Sequence, residues 1–185
     1  SRIVPWMKNG YTVSDMDITI DGTPVALVII WSPDLVPSVM SGAGCRPSFV
    51  DALDKAFDEA EFMAVTWNGR KLRKSMTIRD INSPDDHGVY YSNPKHFKHL
   101  SWLFKSDKCK KMPYDRELDY KKLDPVIVDI TPANYPCGLV VVKAISSHLM
   151  PIGFGYGQEH YGHNRMRVLG LRWKDKYPSR PHFFA

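Results

Sequence analysis

Two stretches decide the fold class: DMDITIDGTPVALVIIW at residues 15–31 and SGAGCRPSFVDALDKAFDEAEFMAVTW at residues 41–67. In the first, Met16, Ile18 and Ile20 alternate with Asp15, Asp17 and Thr19, the period-two pattern of a strand. Asp21-Gly22 supplies a tight turn and Val25 to Trp31 is rich in β-formers, so the segment reads as a hairpin. In the second stretch, Ser41-Gly42-Ala43-Gly44 closes a proline-bearing linker, residues 32–47, and its small residues suit a tight backbone path just before a helix. Ser48 is a good N-cap with Asp51 three residues on. Val50, Leu53, Phe57, Ala60 and Ala64 then recur at spacings of three and four, one buried stripe of a helix that ends near Trp67 to Gly69. A hairpin followed by such a helix predicts an α+β fold, a mixed β-sheet with packed helices, in a single domain over residues 1–185.

Downstream, Arg70 to Asp86 reads as a mobile connection ending in Asn82-Ser83-Pro84-Asp85-Asp86, and Phe97, Leu100, Trp102, Leu103 and Phe104 mark a short apolar helix within residues 94–104. Residues 106–123 are strongly charged. The runs Pro125 to Ile130 and Leu139 to Ile145 flank a proline-bounded loop and read as two buried strands.

The chain has 185 residues, 43% apolar and 24% charged, enough to bury a core and unlike a disordered, collagen-like or coiled-coil composition. Its apolar runs fall far short of the roughly 20 residues a bilayer span needs, and residues 1–10 lack the layout of a signal peptide, so a cytoplasmic protein is expected. Three cysteines without a C-x-x-C spacing indicate neither a disulfide framework nor a zinc site. The net charge of +5 is clustered. Arg70, Lys71, Arg73 and Lys74 form one group, and Lys105, Lys108, Lys110, Lys111, Lys121 and Lys122 lie along another, which read as solvated surfaces before they read as a polyanion site.

Several constellations could carry chemistry. On the 48–63 helix Lys55 and Glu59 stand four apart on one face, with Ala52 and Ala56 leaving room for an approaching group, so the carboxylate could hold Mg²⁺; the plain alternative is that Asp51, Asp54, Asp58, Glu59 and Glu61 line a solvated face. Gly153-x-Gly155-x-Gly157 matches neither the dinucleotide fingerprint nor a P-loop and reads as a glycine-rich turn with packed aromatics. His148, Glu159, His160 and His163 lack a metal-ligand spacing, and neither a Gly-x-Ser-x-Gly elbow nor a base for Cys45 is present. The aromatics interleaved with basic residues lack the patterns of RNA-binding modules.

Taken in order, the segments resemble the C-terminal half of a YcaO-domain protein. Asp17-Ile18-Thr19 and Gly22-x-Pro24-Val25 resemble the family's strand pair, and Gly42-Ala43-Gly44 with Ala52-x-x-x-Ala56-x-x-Glu59-Ala60 resembles its glycine-led helix ending in an acidic ATP/Mg²⁺ motif. Asp86-His87-x-x-Tyr90-Tyr91-x-x-Pro94, Asp129-Ile130-Thr131, Gly138-Leu139-Val140-Val141-Val142-Lys143, Pro151-x-x-Phe154-Gly155-x-Gly157, Gly162-x-x-Arg165 and Pro181-His182-Phe183 continue the resemblance through nearly the whole chain.

The resemblance implies ATP- and Mg²⁺-dependent phosphorylation of a peptide backbone amide during cyclodehydration of Cys, Ser or Thr to azolines, with a precursor peptide as substrate. It implies Glu59 as a Mg²⁺ and ATP carboxylate, Lys55 as its neighbour, Arg70 and Arg165 as phosphate contacts, and the carboxylate of Ala185 as a group reaching the active site. It also implies a complementary N-terminal YcaO half or leader-binding partner protein, or assembly with a second copy; from the motifs and apolar runs above, neither nucleic acid nor a membrane is an expected partner. The chain departs from the family where Phe62 and Ala64 replace a Gln and an Arg after Glu59, and where the proline-rich end loses two prolines. Those departures leave a degenerate, non-catalytic peptide- or partner-binding domain as the alternative, and the basic clusters leave a nucleic-acid binder as a further one.

Overall fold

The computed structural model describes residues 2–20, 23–67, 76–104, 123–134, 138–168 and 181–183. The chain forms two compact units, one from Ser1–Leu118, Phe154–Gln158 and Pro178–Ala185, the other from Asp119–Gly153 and Glu159–Tyr177.

In the first unit, β1 (Thr12–Asp17), β2 (Val25–Trp31) and β3 (Val39–Cys45) form an antiparallel sheet in that order. Thr12 faces Trp31, and Val25 faces Cys45. The two strands pair as a hairpin, but the first ends at Asp17, so Ile18 and Ile20 of the expected alternation lie beyond it, and the Asp21-Gly22 turn lies outside the described residues. Central β2 is apolar throughout because both of its faces are covered. Ala26, Val28 and Ile30 pack into one core with the long helix α2 (Phe49–Trp67), while Leu27 and Ile29 pack into another with Tyr90, Tyr91 and Phe183.

The Ser41-Gly42-Ala43-Gly44 path is not a loop before a helix. It is the body of β3. Glycine is a poor strand former, but here it packs a backbone against a backbone. A Cβ on Gly42 would sit 2.3 Å from the Ala56 carbonyl oxygen, and one on Gly44 would sit 2.0 Å from that of Ala52. Gly42 and Gly44 therefore face the fully buried Ala52, Ala56 and Ala60 across a seam that no larger residue fits. Tertiary packing overrides local propensity at this strand.

The helix α2 begins as its sequence predicts, with the Ser48 hydroxyl accepting from the Asp51 N–H at 3.1 Å and donating to the Asp51 carboxylate at 2.6 Å. Its buried stripe keeps Phe57, Ala60 and Ala64 of the expected one, with Leu53 packed against the core, and widens toward Ala52 and Ala56. Ala52, Ala56, Phe57, Ala60, Met63, Ala64 and Trp67 are buried, whereas Val50 is 69% exposed, because the seam turns the alanines toward the sheet. A short helix α1 (Ile3–Lys8) precedes β1 and ends on Gly10 at φ 82, with Gly10 N–H to Met7 O and Tyr11 N–H to Trp6 O closing a Schellman motif. Arg2 donates to Glu61 at 2.6 Å and to Asp58 at 2.8 Å, so part of α2's acidic flank is paired.

The connection ending at Asp86 contains the start of a helix that the periodicity did not show, α3 (Pro84–Ser92). Ser83 is its N-cap, Pro84 opens it, and Asp85 and Asp86 occupy its first turn, a placement that satisfies the free N–H groups and the helix dipole. The apolar helix expected over 94–104 is the single turn α4 (Pro94–Phe97), followed by further turns through Phe104.

The second unit holds an antiparallel ribbon of β4 (Val126–Asp129) and β5 (Val142–Ile145), and the short helix α5 (Asn164–Val168). These two strands were expected to be buried. Every residue of both is exposed, since a two-stranded ribbon covers neither of its own faces.

Candidate functional site

Glu59 stands on α2 where the helix crosses β3, and the Gly–Ala seam brings the two backbones close enough for its side chain to bridge them. The Ala43 N–H donates to Glu59 Oε2 at 2.7 Å. Glu59 is half-buried, and among the described residues no group bonds to its other oxygen, Oε1. A carboxylate fixed through one oxygen to a strand, with the other oxygen available, is a suitable hard ligand for Mg²⁺, which is commonly held by one or two carboxylates together with substrate phosphates.

Lys55 lies one turn before Glu59 on the same flank, half-buried. Among the described residues no ion pair joins the two: Glu59 bonds to β3, which leaves the ammonium and the carboxylate as separate charges on one face. Phe62 lies one turn beyond Glu59 and is 71% exposed, so it continues this flank as an apolar surface. Ala64, by contrast, is buried against the sheet. An arginine at that position of this helix would meet the core.

Arg165 lies on α5 in the second unit, its N–H donating to His163 Nδ1 at 3.1 Å. Arg70 and Ala185 lie outside the described residues, as do both basic clusters. The structure therefore brings together Lys55 and Glu59 among the residues singled out from the sequence.

It also places the C-terminal segment beside β3. Tyr91 donates its hydroxyl to Pro181 O at 2.7 Å, His87 Nδ1 lies 2.7 Å from His182 O, and Ser41 donates to Phe183 O at 2.7 Å. His87 Nε2 meets Phe154 O at 3.0 Å, and Tyr156 N–H donates to Ile81 O, which ties residues 154–156 to the same unit. One ring nitrogen donates in a neutral imidazole and both donate in the imidazolium. His87, Tyr91 and Ser41 are buried. Sequence reasoning named the Asp86-His87-x-x-Tyr90-Tyr91 motif without a role. The available signal was that His87 and Tyr91 stand four apart, on one face of the helix that Ser83-Pro84 opens.

The other constellations stay apart. Among the described residues no three His, Cys, Asp or Glu side chains gather as a metal site. Gly155 packs against the Gln158 side chain, as befits a tight turn. No helix among the described residues is long and apolar enough to cross a membrane.

A family model described as YcaO cyclodehydratase, ATP- and Mg²⁺-binding, matches residues 6–150. No curated protein and no solved structure matches the chain.

Proposed function

The chain belongs to the YcaO family of ATP- and Mg²⁺-binding cyclodehydratases, and from that premise we propose that it is a component of an enzyme that phosphorylates peptide backbone amides while cyclising Cys, Ser or Thr side chains. The observation that carries this reading is the carboxylate of Glu59, held to β3 through Ala43 with Oε1 available.

In this reading Glu59 holds the cation, Lys55 adds positive charge on the same flank, and Arg70 and Arg165 are phosphate contacts through their forked donors. The nucleotide supplies the phosphoryl group and Mg²⁺ offsets its charge. The thiol or hydroxyl of the substrate residue adds to the preceding carbonyl carbon and closes the ring as its proton passes to a base; the resulting oxyanion takes the terminal phosphoryl group of ATP with ADP leaving, and phosphate then departs as the ring nitrogen loses its proton and forms the C=N bond. Positioning of the two reactants is the protein's main contribution to such a step.

The partner in this reading is a complementary YcaO segment or a leader-binding protein, with a second copy as the homomeric variant, and the compartment is the cytoplasm. The exposed apolar residues of the β4–β5 ribbon and its flank support a docked partner: Val126, Ile127, Val140 and Val142 each leave an apolar side chain exposed, on both faces of the ribbon.

Titration of Mg·ATP into the chain by calorimetry, with and without a partner encoded by a neighbouring gene, tests the proposal. Saturable heat that depends on Mg²⁺ and vanishes in Glu59→Gln is expected. Absence of nucleotide binding in the assembled complex refutes it. One observation favours a second reading, a non-catalytic peptide- or partner-binding domain: Phe62 offers an exposed ring beside Glu59 where a hydrogen-bonding amide would serve a nucleotide. Peptide binding without any nucleotide binding is the result that selects it.

A further inference from the structure

The hairpin of the first unit and the ribbon of the second carry the same hydrogen-bond pattern on the same tripeptide, Asp-Ile-Thr. In the first, Ile18 N–H donates to Val25 O at 3.0 Å, Asp17 Oδ1 accepts from Thr19 N–H at 2.9 Å, and the Thr19 hydroxyl accepts from Val25 N–H at 2.9 Å. In the second, Ile130 N–H donates to Val141 O at 2.9 Å, Asp129 Oδ1 accepts from Thr131 N–H at 2.9 Å, and the Thr131 hydroxyl accepts from Val141 N–H at 2.9 Å. The registers agree, since Asp17 faces Ala26 and Asp129 faces Val142. Val142 and Ala144 of β5 therefore correspond to Ala26 and Val28 of β2. Backbone groups of a strand in an antiparallel sheet turn alternately to its two sides. Because Val25 bonds across to Ile18, Ala26 and Val28 turn theirs toward β3, where they face Gly44 and Gly42. By the same alternation Val142 and Ala144 turn theirs away from β4, and among the described residues no strand lies there.

We propose that the outer edge of β5 takes an antiparallel strand from a partner protein, as β2 takes β3, and that this strand sets a carboxylate opposite Lys143 between apolar neighbours. In one respect, that the ribbon docks a partner, this rests on the reading above; it requires no nucleotide. The chemistry of the strand follows from the face it extends. Val126, Val128 and Ile130 alternate onto one face of the ribbon, with Ile145, Lys143 and Val141 across from them, and all six are exposed. Lys143 is the one charge among them, and among the described residues no carboxylate pairs with it. Asp129 alternates to the opposite face, where its carboxylate takes the Thr131 N–H. A strand laid along β5 brings one of its own residues opposite Lys143, where an opposite charge stabilises the pair and a like charge destabilises it. Apolar residues two positions to either side of that carboxylate then meet Val141 and Ile145. Lysine on a strand edge also guards against pairing of the edge with its own copy. Two β5 strands aligned antiparallel about their centre would set Lys143 against Lys143, so the charge points to a partner of another sequence.

Amide hydrogen exchange, read residue by residue by NMR on the full chain, tests this with two synthetic peptides: Thr-Val-Thr-Glu-Thr-Val-Thr and the same sequence with lysine for glutamate. At saturation the glutamate peptide should slow exchange of the Val142 and Ala144 amides about tenfold or more, because both gain a strand partner. The lysine peptide should bind about threefold more weakly or worse, and Lys143→Glu, a change at an exposed position, should reverse that order. Ala144→Pro removes one outward N–H at an edge where proline is tolerated, and should weaken the glutamate peptide about tenfold. If that variant loses the β4–β5 pairing, the charge reversal at Lys143 decides the point. Unchanged exchange at Val142 and Ala144 at every soluble peptide concentration overturns strand addition. Equal affinity for the two peptides overturns the carboxylate opposite Lys143. Protection of both amides without peptide, rising with protein concentration alongside a dimeric mass by light scattering, assigns the edge to a second copy and overturns the partner. Calorimetry with Mg·ATP is read separately: absent nucleotide binding overturns the catalytic reading above and leaves the exchange result to stand or fall by itself.

Discussion

Replacing Glu59 by glutamine separates its two tasks, because the amide keeps one and loses the other. The glutamine side chain can still present an oxygen to the Ala43 N–H, which in the wild type lies 2.7 Å from Glu59 Oε2. The bond changes from one with a charged acceptor, about 1.5–3 kcal/mol, to a neutral one of about 0.5–1.5 kcal/mol, so the fold should lose about 1 kcal/mol. For a chain of this size that is a fall of about 2–4 °C in Tm, readable by calorimetry or circular dichroism. The loss at a cation is larger. Removing the full negative charge that Glu59 offers to Mg²⁺ should lower nucleotide turnover about 100-fold or more, equivalent to about 2.7 kcal/mol in the barrier. Glu59→Ala should match this kinetic loss and add a second thermal cost of about 1–3 kcal/mol, since Ala43 N–H then loses its partner. Asp58→Asn is the control: its carboxylate pairs with Arg2 at the surface, and its removal should cost less than about 1 kcal/mol and leave turnover unchanged. Wild-type turnover and Mg·ATP affinity in Glu59→Gln would refute the metal-ligand reasoning.

Gly42→Ala or Gly44→Ala should destabilise the first unit by about 1–3 kcal/mol or more, seen as a lowered denaturant midpoint, because the new methyl meets the α2 backbone at 2.3 Å or 2.0 Å. Ser48→Ala should cost about 1 kcal/mol through loss of the α2 cap, measured in the same way. Phe62→Gln should leave stability within about 0.5 kcal/mol, as expected of an exposed position, and should tighten Mg·ATP binding in calorimetry by supplying the missing amide. The Asp80 carboxyl is held below its ordinary value by hydrogen bonds from the Thr77 backbone and hydroxyl. Its contribution is therefore present above the unfolded carboxyl's pKa and lost as pH falls through the lower folded one, so Asp80→Asn should flatten the acid limb of the stability profile below about pH 4.

The hairpin and α2 were legible because their signals are local: the β-rich run Val25 to Trp31, an N-cap and apolar spacing of three and four. The α+β class follows from them. The strand at Val39–Cys45 was not legible, since its glycines are chosen by a helix that packs across it from later in the chain. The face of α2 was legible at Leu53, Phe57, Ala60 and Ala64 and misplaced at Val50. Val50 looked like core by spacing, yet the alanines win the buried side because only they fit the seam. Helix α3 has local signals at Ser83 and Pro84, but its apolar pattern is weak because it buries His87, Gly88 and Ser92 beside two tyrosines. At the site, Glu59 and Lys55 were readable as neighbours by helix spacing alone. The bond from Ala43 and the bonds of Tyr91, His87 and Ser41 to residues 181–183 join residues 16 to 142 positions apart, and no periodicity reports such pairs.

The seam between β3 and α2 has a consequence for how the protein can change. Glycine and alanine carry no side-chain rotamers to lose, so contact between Gly42, Gly44, Ala52, Ala56 and Ala60 is made by main chain against main chain, with almost nothing that can adapt. The main chain that carries Glu59 shares that stiffness, and its side chain is tied to the strand by the bond from Ala43. A library that varies the seam would mostly return unfolded chains. Variation that alters which substrates or nucleotides are used must instead enter through the exposed flank, with Phe62 a position near Glu59 where a new side chain meets solvent and not a backbone.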